Sequence, residues 1–184
     1  MSSEQKSARP ITRRRALATT AAGAAGFVAA SRLGFPAIVR AQSDPVRVGH
    51  LTPLTGFLGQ IGEYAVMGAQ MAVDEANEAG GVLGRPVELI TEDSVNPGVA
   101  TQKAQKLIEG DRAACLIGEI SSAAGLAIAE VANRAQVVYV NTGCNSDELR
   151  GKNCNRFMFH VEGCNTMYTK TIGLWQQRQG LIDG

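Results

Sequence analysis

The sequence has few of the side chains that enzymes most often use for catalysis. His50 and His160 are the only histidines in 184 residues, and aromatic residues make up 5% of the chain. It contains no Walker-type phosphate loop, no His-Glu-x-x-His or Cys-x-x-Cys metal motif and no Gly-x-Ser-x-Gly nucleophile elbow. These absences predict that the chain is not an enzyme and holds neither a cofactor nor a metal ion.

Each histidine has an ordinary structural explanation. His50 stands near the end of an alternating segment that is typical of a strand, so it could face a ligand, but a solvated position is favoured. His160 lies inside a second strand pattern, which favours a packed or hydrogen-bonded ring.

Long apolar runs are also missing, and the basic residues are unevenly distributed. No segment is long and apolar enough to span a bilayer stably. Residues 1–41 hold seven basic residues and one acidic residue, whereas the rest holds eleven basic and sixteen acidic, for net charges of +6 and −5. The folded part is therefore acidic, and a nucleic-acid partner is not expected.

The basic segment has the pattern of an export leader. Thr12-Arg13-Arg14-Arg15-Ala16-Leu17 resembles the twin-arginine signal, and a weakly apolar segment follows at 16–30. Val39-Arg40-Ala41 supplies small residues where a signal peptidase cuts. We expect residues 1–41 to be a signal peptide, cleaved after Ala41, and the mature protein to be periplasmic. A disordered basic tail is the alternative, although it would not explain the apolar segment and the cut site.

After the leader, strand and helix patterns alternate. Period-2 or continuous apolar segments predict five strands, at 46–51, 87–91, 114–117, 137–140 and 157–161. Apolar residues at helical spacing predict four helices, at 64–78, 98–109, from Ser121-Ser122 to Ala135, and at 166–179. The segment 52–62, rich in Gly, Thr and Pro, is expected to be a loop. This order predicts an α/β fold with a parallel sheet covered by helices on both faces.

One strand-to-helix turn has the features of an anion site. Ser121 and Ser122 stand where a helix N-cap is expected, and the first turn of a helix has free N–H groups and the positive end of the helix dipole. In parallel sheets, ligands bind at the carboxyl ends of the strands, where this turn lies. A carboxylate or phosphate could therefore bind there, and the alternative is that the serines only cap the helix.

The four cysteines of an exported chain suggest disulfide chemistry. Cys115 lies inside a strand and is expected to be a buried thiol, and Cys154 precedes the fifth strand. Cys144 and Cys164 follow strands four and five at the same edge, so they could form a bridge if these strands are neighbours.

Beyond these patterns, residues 46–184 resemble the N-terminal lobe of type I periplasmic binding proteins, specifically the leucine/isoleucine/valine-binding protein family. The most specific match is the run Asn77-Glu78-Ala79-Gly80-Gly81-Val82-Leu83-Gly84-Arg85. Other matching segments are Leu51-Thr52-Pro53-Leu54-Thr55-Gly56, Gly62, Gly68-Ala69 with Ala72, Glu92-Asp93, Asn96-Pro97, Ile117-Gly118 with Ser121-Ser122, and Ser146-Asp147-Glu148-Leu149.

The resemblance implies a solute-binding component of an ABC-type importer, with a membrane permease as partner. It implies that the solute is an amino acid or a related small carboxylate or amide. The ligand-binding residues would be Ser121, Ser122, Ala123, Gly143, Cys144 and Asn145. Ser122 would hold the α-carboxylate, and the Gly143 carbonyl and Asn145 side chain would face the ammonium or another polar group.

Several features of the chain depart from the family. Amino-acid binders usually have Thr at the position of Asn145 and an aromatic residue at that of Ile61. Family members also fold as two lobes, so residues 42–184 are expected to be the N-terminal lobe of a truncated product that binds weakly or not at all alone. A ligand-binding sensor or regulator of the same fold is the alternative function.

Overall fold

The computed structural model describes residues 44–182, and the expected signal peptide lies outside these residues. The strands are β1 (Val46–Thr52), β2 (Val87–Asp93), β3 (Cys115–Gly118), β4 (Val138–Asn141) and β5 (Met158–His160). The α-helices are α1 (Gly59–Glu78), α2 (Pro97–Gln105), α3 (Ser122–Ala135) and α4 (Asn165–Arg178). A π-helical turn covers Lys106–Gly110, and a short 3₁₀ helix covers Asp147–Leu149.

The five strands form one parallel sheet in the order β2-β1-β3-β4-β5. All five carboxyl ends therefore lie along one edge. The predicted α/β class and parallel sheet are confirmed. The predicted first and last residues of each strand differ from the observed ones by at most two residues.

One face of the sheet carries the hydrophobic core. Leu51, Leu116 and Tyr139 project from β1, β3 and β4 toward α2 and α3, and all three are fully buried. The helices meet them with small and aliphatic side chains, which allow close approach. These side chains are Ala100, Ala104, Leu107, Ala124, Ile128, Ala129, Val131 and Ala132.

The opposite face is covered less completely. Helix α1 packs on β1 and β2, but Val73 is its only buried residue with a large apolar side chain, and α4 buries no residue fully. Large apolar side chains consequently remain exposed on α1, β5 and α4; they include Ile61, Tyr64, Met67, Met71, Phe159, Met167, Ile172, Leu174 and Trp175.

Helix α1 begins five residues before the predicted start at Tyr64. The sequence suggested a loop because of its glycines, but two of them provide close packing instead. A Cβ at Gly62 would lie 1.7 Å from the Pro53 carbonyl oxygen, and one at Gly59 would lie 2.9 Å from that of Leu54. The glycines thus let the helix start against the end of β1.

The predicted helix at 98–109 is divided into α2 and the π-helical turn. The turn buries Leu107, whose carbonyl accepts a hydrogen bond from the Ala113 N–H. It also places Lys106 beside Glu92 and Asp111. None of the helices in residues 44–182 has both the length and the apolar character that crossing a bilayer requires.

Candidate functional site

The turn between β3 and α3 is built around a buried carboxylate. Glu119 is fully buried and has φ +75°, in the left-handed region that non-glycine residues rarely adopt. Its Oε1 accepts hydrogen bonds from the N–H groups of Ile120 (3.0 Å) and Ser121 (2.7 Å). The side chain of Glu119 therefore fixes the backbone just before α3.

Helix α3 begins at Ser122, and Ser121 is its N-cap residue. The extended backbone of Ser121 agrees with the sequence prediction, but its hydroxyl makes no capping hydrogen bond. The first N–H groups of a helix have no partner within the helix. Those of Ser122 and Ala123 therefore keep their hydrogen-bonding capacity at the carboxyl edge of the sheet.

The turn that follows β4 packs against this one. The Cys144 Sγ is 3.3 Å from the Ser121 carbonyl oxygen and 3.5 Å from that of Glu119. A Cβ at Gly143 would lie 3.1 Å from the Glu119 carbonyl oxygen, so only glycine fits easily. The six predicted site residues thus lie in two adjacent turns, but the buried Cys144 side chain supports the turn and does not face solvent.

Asn145 has a hydrogen-bond acceptor without a donor. Its Oδ1 is buried and has no partner among the described residues. Its carbonyl oxygen accepts from the Asn165 N–H at 2.8 Å, which ties the turn to the start of α4. A donor from outside these residues would satisfy the free oxygen.

The Cys144–Cys164 bridge suggested by the sequence is not formed, since both thiols are free. Strands β4 and β5 are neighbours as that suggestion required, but the thiols have different partners. Cys144 hydrogen-bonds toward the start of α3, and Cys164 interacts with the Asp147 side chain. Burial raises the pKa of Cys144 to about 12.

A cavity of about 270 Å³ opens beside the turn before α3. Ser121 is the member of the predicted set that lines it. The remaining lining residues follow β1 and β2 or begin α3; they are Pro53, Thr55, Gly56, Phe57, Leu58, Ser94, Val95 and Ala124. The sequence placed both strand-end segments at this edge, but it gave no signal for these individual side chains.

Asp93, at the end of β2, connects two of the loops around the cavity. Its Oδ1 accepts from the N–H groups of Leu54 (2.9 Å) and Val95 (3.1 Å), and its Oδ2 accepts from the Thr55 hydroxyl (2.8 Å). Burial opposes ionisation, but these hydrogen bonds outweigh it and lower the pKa of Asp93. An ionised Asp93 therefore holds the loops together.

Burial has a larger effect on the pKa of the nearby Glu119 carboxyl group than on that of Asp93. Burial raises the pKa of Glu119, although the hydrogen bonds from the N–H groups of Ser121 and Ile120 oppose the shift. The charge of Asp93 adds to the increase. The Glu119 Oε2 is buried and has no hydrogen-bond partner in residues 44–182.

The solvated position favoured for His50 is wrong. The ring is 2% exposed and its Nδ1 lies 3.3 Å from the Thr91 hydroxyl. Burial lowers its pKa to about 4. His160 is half-buried and its Nδ1 accepts a hydrogen bond from the Arg150 Nε at 3.0 Å, consistent with the packed role predicted for it.

Other parts of the described surface give weaker candidates. A groove of about 380 Å³ lies between α3 and the loop before β5, away from the carboxyl edge, and is lined by Glu130, Asn133, Lys152 and Cys154 among others. Residues 44–182 hold no group of three or more His, Cys, Asp or Glu side chains suited to a metal ion.

Comparison with known proteins gives consistent matches. Residues 45–181 match the family model described as periplasmic binding protein. Leu/Ile/Val-binding protein homolog 8 of Brucella suis is 37% identical over 130 residues, which are 71% of this chain and 31% of that protein. A periplasmic binding protein of Burkholderia mallei has a similar structure, with a TM-score of 0.69 and 28% identity over 75% of this chain and 37% of that chain.

A third match is to a protein whose ligand is known. The branched-chain amino acid transporter substrate binding protein of Streptococcus pneumoniae, solved in complex with isoleucine, has a TM-score of 0.62 and 24% identity. The match covers 66% of this chain and 34% of that chain, and at this identity it shows a shared fold. The chain spans about a third of the length of each of these proteins.

Proposed function

Because the chain belongs to the periplasmic binding protein family, we propose that it acts as a solute-binding component of an ABC-type importer. The proposed solute is an amino acid or a related small carboxylate or amide. The family consists of binding proteins, so membership confirms the prediction that the chain is not an enzyme. Membership also indicates an exported or periplasmic protein.

The observation that carries the proposal is the uncapped start of α3 beside a cavity. The N–H groups of Ser122 and Ala123 have no side-chain cap, and the cavity of about 270 Å³ reaches Ser121 and Ala124 in the same turn. Free N–H groups and the helix dipole favour a carboxylate at this place. The Ser122 hydroxyl is half-buried and adds a further donor.

A polar or cationic group of the solute has a candidate acceptor nearby. The unsatisfied Oδ1 of Asn145 lies in the turn that packs against the start of α3. The Gly143 carbonyl lies in the same turn and is proposed as a second acceptor. An amino acid or an amide offers donors for both groups.

Two further parts of the proposal concern export and partners. We propose that residues 1–41, which lie outside the described residues, direct export by the twin-arginine route and are cleaved after Ala41. A membrane permease is the proposed protein partner, since relatives such as the Streptococcus pneumoniae protein are transporter components.

The binding proposal can be tested by NMR titration of the chain with isoleucine and with benzoate up to millimolar concentrations. We expect amide shifts to concentrate at Ser122, Ala123 and Asn145. Ser122→Ala should weaken binding by about tenfold or more, since a hydrogen bond to a charged group contributes about 1.5–3 kcal/mol.

Thr171→Ala, which removes an exposed hydroxyl on α4, is the matched control and should leave binding unchanged. The proposal fails if neither solute shifts these amides. It also fails if Ser122→Ala and Thr171→Ala bind a solute equally well.

A further inference from the structure

A buried acid lies directly beside the place proposed for the solute carboxylate. The Glu119 Oε1 accepts hydrogen bonds from the N–H groups of Ile120 and Ser121. The N–H groups of Ser122 and Ala123 come next along the chain. Glu119 is fully buried, and its second oxygen has no partner in the described residues. Burial of a carboxylate with an unpaired oxygen disfavours its charged form, so a second negative charge close by would favour protonation of this carboxyl group.

The backbone conformation of Glu119 also points to a functional role for this residue. Glu119 has φ +75°, a backbone conformation that is strained for a non-glycine residue. Strained residues of this kind concentrate at functional sites. A glycine would adopt this conformation more easily, but the turn between β3 and α3 has a titratable side chain at this position.

We propose that Glu119 determines which charge the site accepts: an anionic solute group binds at the start of α3 only together with a proton on the Glu119 carboxyl. This inference rests on the proposed function. Two carboxylates close together in a desolvated site cannot both ionise without a large cost, so they share one proton. A solute that also carries an ammonium group depends less on this proton, because its own positive charge offsets part of the repulsion.

Of the ionisable groups packed around this site, Glu119 is the one expected to change its protonation state in the pH range of the test. Asp93 faces it from the end of β2 and stays ionised, because hydrogen bonds lower its pKa. His50, on β1 next to Gly118, stays neutral above its pKa of about 4. Tyr139 on β4 and Cys144 after β4 also stay neutral, because burial raises the pKa of each.

The test measures benzoate binding between pH 5.5 and 8, with isoleucine as the zwitterionic reference. For wild type, benzoate affinity should fall as pH rises, by up to about tenfold per pH unit when one proton is taken up. Glu119→Gln is a neutral isostere; its benzoate affinity should be almost independent of pH and higher than wild type at pH 8.

Glu92→Gln is the matched control. Glu92 lies at the end of β2 but pairs with Lys103 and Lys106, so this variant should keep the wild-type pH dependence. Calorimetry of wild type in two buffers of different ionisation enthalpy counts the protons directly and needs no variant. It should find net proton uptake with benzoate at pH 8, where the free carboxyl group is most ionised.

The outcomes separate the two proposals. Benzoate binding without proton uptake, or with the same pH dependence in wild type and Glu119→Gln, overturns the role of Glu119 and leaves the proposed function standing. Binding of isoleucine but not of benzoate, in both proteins at every pH, also overturns it. Binding of neither solute overturns the proposed function and this inference together.

Discussion

His50 makes the stability of the fold depend on pH in a direction that can be worked out. The buried ring is neutral with a pKa of about 4, whereas an unfolded histidine titrates near 6.5. Between these values the unfolded chain binds more protons than the folded protein. The stabilisation is therefore complete above pH 6.5 and is lost as pH falls toward 4, by about 3 kcal/mol at most.

Urea unfolding at pH 7 and at pH 4.5 checks this expectation. His50→Gln should lose less stability on acidification than wild type, and His160→Gln should behave like wild type more closely because His160 is only half-buried. An equal loss in wild type and His50→Gln would show that other groups control the acid sensitivity.

Gly125 in α3 is required by its contact with the turn after β4. A Cβ at this position would lie 2.5 Å from the Cys144 Sγ and 3.2 Å from the Asn141 Nδ2. Gly125→Ala should therefore destabilise the protein by about 1–3 kcal/mol, as overpacking of a core usually does. The midpoint of urea unfolding measures the change.

Gly68 in α1 is the matched control, because a Cβ there would meet no atom within 4 Å. Gly68→Ala should stabilise the protein by about 0.5–1 kcal/mol, since alanine is the better helix former. Similar effects of the two substitutions would mean that the turn after β4 does not pack against α3 as described.

At the level of whole elements, helices α2 and α3, which both start at the carboxyl edge of the sheet, begin differently. Asn96 caps α2, and its Oδ1 accepts from the N–H groups of Gly98 (3.0 Å) and Val99 (3.1 Å). The side chain of Ser121 makes no such bond at α3. The first turn of α2 is thus satisfied internally, while that of α3 stays open.

Alanine substitutions should show this difference. Asn96→Ala is expected to cost about 1 kcal/mol, the usual effect of losing an N-cap, whereas Ser121→Ala should cost only a few tenths. Thermal unfolding of both variants without solute measures the contrast. A cost at Ser121 equal to that at Asn96 would mean that the serine caps α3, and the open first turn would be excluded.

Strands and helices followed from local patterns, because a strand buried between helix layers is a short apolar run and a covering helix has apolar residues at helical spacing. The boundaries moved where tertiary contact decided them. Gly59 and Gly62 became part of α1 because the chain just after β1, at Pro53 and Leu54, lies against them. Lys106–Gly110 formed a π-helical turn that buries Leu107.

Across the whole described structure, the sheet is well covered on one face and poorly on the other. Helices α2 and α3 bury a continuous core, whereas α1 and α4 leave many large apolar side chains in contact with solvent. Exposed apolar areas of this extent are unusual for an isolated domain.

The single tryptophan reports on this uncovered face. Trp175 lies on α4 and is 56% exposed. Its fluorescence should have a long-wavelength maximum and be quenched readily by iodide, and unfolding should change both only slightly. A short-wavelength maximum with weak quenching, measured over a range of protein concentrations, would show that the face is covered in solution.

The sequence by itself determined the α/β class, the parallel sheet and the edge at which a ligand site would lie, because these depend on periodicity along the chain and on the general geometry of parallel strands. The resemblance of the Asn77–Arg85 run also pointed to the family that residues 45–181 match.

Only the tertiary structure decided how the site is built. It buried His50 and Cys144, aimed the thiols of Cys144 and Cys164 at different partners, and gave the N–H groups before α3 to Glu119 and not to a serine. The burial of a side chain and its hydrogen-bond partner depend on segments distant in sequence. A local sequence pattern therefore cannot predict which oxygen accepts a hydrogen bond from which N–H group in the folded sheet.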